Sequence, residues 1–393
     1  MKEILEAKAL ALEAELISIR RHLHQHPELS FEEFKTSEFI QSKLREWGIS
    51  FTAGWVKTGI VGLIEGKNPD SKCIALRADI DALPIQEQNE VSYQSCHPGV
   101  MHACGHDVHS TCLLGALKLL NDTKEQWEGR VKFLFQPGEE KLPGGASMMI
   151  AEGVLENPTP QAILGLHVLP QMETGYFGLK PGMFMASADE IYITVKGKGG
   201  HAALPQTLID PVLMSAQLIN ALQQVVSRNA YPIIPSVLSF GKIIGNGATN
   251  VIPDEVSLEG TFRTFNESWR EEAHERIRTI CHSVCASFGG SCEVNILKGY
   301  PFLVNDESIT EQVQRSLTEV FGSEKVLTME TRMTAEDFAY YSQIVPACFF
   351  RMGTGNKAKG ITSGIHTTTF DVDEKCLVAG SLAMAMAAIA LKP

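Results

Sequence analysis

Residues 102–109 read His-Ala-Cys-Gly-His-Asp-Val-His, and residues 135–140 read Phe-Gln-Pro-Gly-Glu-Glu. The first segment packs a thiol, Cys104, and three imidazoles, His102, His106 and His109, into eight residues. The second sets adjacent carboxylates, Glu139 and Glu140, after an apolar run. Thiolate, imidazole and carboxylate are the ligands of zinc and its d-block neighbours. A second acid beside a ligand acid suits a proton shuttle for an attacking water. Adjacent side chains point in different directions, so one can hold metal while the other faces the water.

A Cys-x-His pair alone carries little, because both residue types are often simply buried. Cys104 and His106 gain force from the acids at another expected strand end. His102 and His109 read as supporting or structural residues. Asp79 and Asp81, in Arg-Ala-Asp-Ile-Asp-Ala-Leu-Pro, suit a turn or helix cap, or acids that orient ligand imidazoles or hold a metal. His22, His24 and His26 alternate where a helix ends before Pro27 and read as structural. Cys281, Cys285 and Cys292 read as core. His201 follows Gly199 and Gly200, which let a substrate approach the backbone, although a lone histidine is usually structural. Asn250 and Arg263 are polar residues of the same region, and an arginine suits a planar carboxylate. His366 stands alone far downstream, and spacing does not select it. The chain has no Gly-x-Ser-x-Gly elbow, no phosphate-binding loop and no His-Glu-x-x-His helix.

These side chains need elements to hold them. Apolar spacing predicts a helix over residues 3–24 and a second ending at Trp47 before Gly48. Strands are expected at 73–78, 131–135 and 162–166, alternating with helices at 110–120 and 146–151. This order argues for parallel strands covered by helices. The three strands run into Asp79 and Asp81, into Glu139 and Glu140, and into His167. Open α/β sheets bind ligands at that end. From about Ala186 the pattern becomes strand 190–196, helix 210–228, strands 237–244 and 256–265, helix 267–288 and strand 292–297. That is a split βαββαβ unit. The expected fold is therefore α/β, a mixed, mostly parallel sheet covered by helices. Residues 1–185 and 300–393 form its discontinuous catalytic domain, and residues 186–299 form an inserted ferredoxin-like domain.

At 393 residues the chain exceeds the usual limit of one core. A formal charge of −12 disfavours nucleic acid and anionic membranes as partners. No apolar run reaches the roughly 18 residues of a membrane span, and the run over 377–391 reads as a buried helix. The first residues carry acids where a secretory signal is basic and then apolar. Nine cysteines without framework spacing point to a reducing cytoplasm.

Seven segments together carry a resemblance. They are Arg-Arg-His-Leu-His-Gln-His-Pro-Glu-Leu-Ser-Phe-Glu-Glu, Arg-Ala-Asp-Ile-Asp-Ala-Leu-Pro, His-Ala-Cys-Gly-His-Asp, Phe-Gln-Pro-Gly-Glu-Glu, Gly-Leu-His-Val, Gly-Gly-His-Ala-Ala-Leu-Pro and Ala-Thr-Asn-Val-Ile-Pro, in that order. Over almost its whole length the chain resembles the dinuclear-metal amidohydrolases that include hippurate hydrolases, bacterial N-acyl-amino-acid deacylases and plant indole-acetyl-amino-acid hydrolases. The resemblance implies that Cys104, His106, Glu140, His167 and His366 bind two divalent ions (Zn, Mn, Co or Ni), with Cys104 as the bridge. Glu139 would be general base and then general acid, and Asp81 the acid behind the ligands. His201 would stabilise the oxyanion, with Asn250 and Arg263 near the substrate. The inserted domain would act as a lid and mediate a homodimer. The implied reaction is hydrolysis of N-acyl amino acids. The same centre would also serve a di- or tripeptide exopeptidase, but no acid that would meet a free α-amine stands out. A non-catalytic metal-binding scaffold has no use for Glu139. Gly138, Lys141, Gln206, Ala335 and Thr367 depart from the family's usual residues; none removes a ligand or the base, so they bear on substrate choice.

Overall fold

A computed structural model describes residues 1–392. The chain forms two compact units. The first comprises Met1–Phe184, Val304–Thr331 and the chain from Asp337 on; the second comprises Met185–Leu303 and Arg332–Glu336.

The first unit is built on an eight-stranded sheet. Its centre is four parallel strands, in the order Arg130–Gln136, Cys73–Asp79, Ala162–Glu173 and Ala347–Gly355. Antiparallel strands Gly59–Glu65 and Phe51–Trp55 extend one edge. Phe177–Leu179 and Val326–Thr328 extend the other. The fold is thus α/β with a mixed, mostly parallel sheet. Every residue of Cys73–Asp79 is buried, as expected of a parallel strand covered on both faces. The helix His106–Asp122 is buried along nearly its whole length. It packs on that strand, on the helix Glu13–Gln25 and on the Ala-rich helix Cys376–Ala390.

Several boundaries differ from the sequence expectation. The N-terminal helix is two, Lys2–Ala11 and Glu13–Gln25. The amide of Leu12 is shared between the carbonyls of Lys8 and Ala9, each at 3.2 Å. Leu5, Ala9, Leu16 and Ile19 stay buried across the break, so the apolar rhythm hides it. The helix expected at 110–120 starts at His106, because its first turn is polar and adds nothing to an apolar pattern. The strand expected at 162–166 continues to Glu173. His167 therefore lies within a strand, opposite Arg351, and not at a strand end. Strands Phe51–Trp55 and Gly59–Glu65 were not expected from the sequence; Gly54, Gly59 and Gly62 interrupt both runs.

The second unit carries a four-stranded antiparallel sheet in the order Ser236–Ile244, Glu255–Thr264, Asp189–Lys196 and Ser291–Lys298. Helices Pro211–Gln224 and Glu267–Ser287 complete a βαββαβ order. The strand Asp189–Lys196 alternates, with Ile191, Ile193 and Val195 buried and Glu190 and Tyr192 exposed. One face of the sheet thus packs on the helices. Below that core, Asp189 accepts hydrogen bonds from buried Arg270 and His274. The first of these helices was expected to reach Arg228; its α-helical part stops at Gln224 and a π-turn covers Val225–Asn229. No helix among the described residues is long and apolar enough to cross a membrane.

Candidate metal centre and active site

In the first unit the candidate ligands converge. One ligand atom each from Cys104, His106 and His167 lies within 4.8 Å of the others, and the same holds for Cys104, Glu140 and His366, and for His106, Glu139 and Glu140. Cys104 Sγ lies 3.5 Å from His167 Nε2 and 3.3 Å from His366 Nε2. His366 Nε2 is 3.1 Å from Glu140 Oε1.

Each ligand is aimed by its own fold element. Gly105, at φ +83°, turns the chain between Cys104 and the helix beginning at His106. A Cβ there would meet the Val168 side chain at 2.6 Å, so this turn needs glycine. His106 Nδ1 donates to Asp81 at 3.1 Å, and its buried Nε2 has no hydrogen-bond partner. His167 Nδ1 donates to the Val168 carbonyl at 2.8 Å. A carbonyl or carboxylate only accepts, so in both rings Nε2 keeps its lone pair for a metal. His366 has φ +61° and is tied by its N–H to the Ala103 carbonyl at 2.7 Å. That uncommon backbone conformation for a histidine is fastened beside Cys104.

Glu139 and Glu140 follow the strand Arg130–Gln136 through Pro137 and Gly138. The Gly138 N–H donates to Glu33 at 2.9 Å, and the Glu140 N–H to Asp81 at 3.0 Å. Burial and the neighbouring charge of Asp81 push the Glu33 carboxyl up to about 7. Glu139 is buried, and its Oε1 accepts from the Asp337 N–H at 3.3 Å. Asp337 is in turn locked by Arg77 at 2.7 Å, Gln136 at 2.8 Å and the Ala146 amide at 2.9 Å. Asp337 stands beside Glu336 in Thr-Ala-Glu-Asp-Phe, where neither acid has a spacing that marks it for this support. Arg77 also donates to Asp79 and Gln136. Removing one partner of a buried ion cluster costs about 3–5 kcal/mol. Arg77→Met is therefore expected to lower the denaturant midpoint of the metal-free protein by that equivalent. An unchanged midpoint refutes this role.

The electrostatics suit a cation. Burial opposes the charge of Asp81, but hydrogen bonds from His106, Ser30 and the Glu140 amide outweigh it and hold the carboxyl below its usual range. Burial, then the charges of Glu140, Glu139 and Asp79, push the Cys104 thiol well above its ordinary value. Burial and the Arg351 cation keep His167 neutral. A divalent ion fits this donor set. It would offset the carboxylates, convert the thiol to thiolate and take the lone pair of His106 Nε2.

The remaining candidates separate by their partners. His109 Nδ1 donates to Asp79 at 2.6 Å and its Nε2 accepts the Val168 N–H at 3.0 Å, so both nitrogens are used. His102 is buried, neither ring nitrogen is hydrogen bonded, and burial pushes it down to about 4. His24 sits between Asp107 at 2.8 Å and Glu87 at 3.2 Å. His22 stacks on Phe39. In the second unit, exposed His201 pairs with Val251 across a short ladder, and the Ala202 N–H donates to the Asn250 carbonyl at 3.0 Å. The structure thus brings His201 and Asn250 together. Arg263 lies on the strand Glu255–Thr264, half-buried, donating to the Met333 carbonyl at 3.1 Å.

Residues 75–390 match the model of peptidase family M20/M25/M40, and the chain belongs to that family. It is 42% identical over 370 residues to the N-acetyl-L-cysteine deacetylase of Bacillus subtilis strain 168, covering 94% of this chain and 86% of that one. It is 39% identical over 371 residues to the IAA-amino acid hydrolase ILR1-like 4 of Arabidopsis thaliana, covering 93% and 83%. A solved Bacillus subtilis structure, described as a dinuclear metal binding peptidase from the M20 family, is similar at TM-score 0.82 and 34% identity, covering 96% of this chain and 98% of that one. The chain is a metal-dependent amidohydrolase of this family.

Proposed function

We propose that the centre hydrolyses the amide bond of N-acyl amino acids to a carboxylic acid and a free amino acid. The observation that carries this reading is Glu139, a buried acid oriented by the Asp337 amide and grouped with the metal-ligand candidates His106 and Glu140. Cys104, His106, Glu140, His167 and His366 would hold two divalent ions. Such ions would acidify water toward a pKa of ~7 and polarise the amide carbonyl. Glu139 accepts the water proton as the C–O bond forms, and returns it to the amine nitrogen as the C–N bond breaks. Asp81 keeps His106 in the tautomer that presents Nε2. His201 donates to the oxyanion, and Asn250 and Arg263 bind the substrate, the guanidinium suiting its carboxylate.

The chain works in the cytoplasm in this reading, supported by nine cysteines that are all free. It acts on small molecules and not on nucleic acid or a membrane surface, as its charge of −12 suggests. Homodimerisation through the second unit is supported by apolar side chains left in water there, Ile233 at 72% and Ile243 at 54% exposure.

The test is amino-acid release from a panel of N-acetyl, N-benzoyl and indole-acetyl amino acids, with simple dipeptides as a competing class. The protein is loaded in turn with Mn, Zn, Co or Ni. Acylated amino acids are expected to exceed dipeptides in kcat/KM by at least ~10-fold, the scale of one lost pocket contact. Dipeptides turning over faster with every metal would reassign the enzyme as an exopeptidase.

A further inference from the structure

One thiol–imidazole set lies outside this centre. His26 ends the helix Glu13–Gln25, and Cys96 and His97 come from a segment 70 residues away in sequence. The Cys96 N–H donates to the Gln25 carbonyl at 2.9 Å, and its thiol donates to the same oxygen at 2.7 Å. Cys96 Sγ is 3.3 Å from His26 Nδ1. The rings of His26 and His97 stand edge to face with centroids 6.1 Å apart. One ligand atom each from His26, Cys96 and His97 lies within 4.8 Å of the other two. Around a tetrahedral zinc, the usual Zn–S and Zn–N bond lengths put sulfur and nitrogen about 3.6 Å apart. The Cys96–His26 pair, at 3.3 Å, is near that spacing, and a ring nitrogen of His97 lies within 4.8 Å of both.

Two further features favour a cation here. The three donors gather at the C-terminus of a 13-residue helix, where the backbone dipole favours positive charge. Cys96 is exposed and both histidines are half-buried, so an ion can enter without unfolding. The other thiol-rich cluster contrasts with it. Cys281, Cys285 and Cys292 are all buried in the apolar core of the second unit and offer an ion no such entry.

We propose that His26, Cys96 and His97 form a second, peripheral metal site for a thiolate- and imidazole-seeking divalent ion. Zinc is the best fit. Binding exchanges the Cys96 thiol proton for the metal, uses a neutral nitrogen from each imidazole, and leaves the fourth position to water. The ion ties the segment carrying Cys96 to the helix end, a few residues before the chain reaches His102 and Cys104.

The test uses full-length protein with its catalytic centre loaded, equilibrated with Zn²⁺, desalted and analysed for zinc. Alkylation of Cys96 is followed by peptide mass. The wild type is expected to hold about one more zinc per chain than Cys96→Ser or His97→Ala. Zn²⁺ should slow Cys96 alkylation at least ~10-fold in the wild type, because a metal-bound thiolate is a poor nucleophile, and should not do so in His97→Ala. Circular dichroism of both variants should match the wild type, since Cys96 is exposed and His97 is half-buried outside the core. Equal zinc content in the three proteins overturns the site. So does Cys96 alkylation indifferent to zinc in the wild type, or protection that survives in His97→Ala.

Discussion

Glu139→Gln should keep its metal and lose kcat by roughly 10²–10⁴-fold, the usual contribution of a positioned general base. Glutamine has nearly the same shape and can still accept the Asp337 N–H, which reaches Glu139 Oε1 at 3.3 Å. What it lacks is the ability to take a proton from water and return it to the leaving amine. Glu140→Gln should behave differently. Its carboxylate oxygen lies 3.1 Å from His366 Nε2, among the candidate ligands, so the variant should need more metal for half-maximal activity and hold less after desalting. Elemental analysis beside steady-state kinetics separates the two. Near wild-type kcat in Glu139→Gln at saturating substrate would falsify the base assignment. Equal metal retention by both variants would remove Glu140 from the ligand set.

His201→Ala should lower kcat by roughly 10²–10³-fold with metal content unchanged, the loss expected on removing one oxyanion donor. His201 is exposed, and its Nδ1 already accepts the Ala203 N–H at 3.1 Å. Nε2 is then the nitrogen that carries a proton and can donate. A structural histidine in a turn predicts the opposite pattern, lost stability with kcat retained. Mixing inactive His201→Ala with inactive Glu139→Gln asks which chain supplies the donor. If it comes from a second copy, each mixed dimer has one intact site, and random mixing restores about a quarter of wild-type sites. Mixed dimers isolated by tandem tags and still inactive would leave the donor within one chain.

Apolar periodicity and residue chemistry, both local, marked the core elements and the richest ligand segment. The strand Cys73–Asp79 and the βαββαβ order of the second unit are legible because burial on two faces, or on one, writes a continuous or alternating apolar run. Glu139 and Glu140 stand out because they follow a buried strand closely, across Pro137 and Gly138, where an exposed acidic loop is the other reading. Spacing favoured His106, paired with Cys104, over His109 but could not give the reason. Asp81 leaves His106 Nε2 open, while the Val168 amide occupies His109 Nε2. Those partners lie 25 and 59 residues away in sequence. His366 had no local signal, and its amide's hydrogen bond to the Ala103 carbonyl helps hold it beside Cys104. Asp337 was silent for the same reason, as was the meeting of His26 with Cys96 and His97. The sequence by itself determined which chemistry the chain carries and which segments are buried. The tertiary structure decided which lone pairs remain available, because a ring nitrogen's role is set by the donor or acceptor that folding brings to its other side.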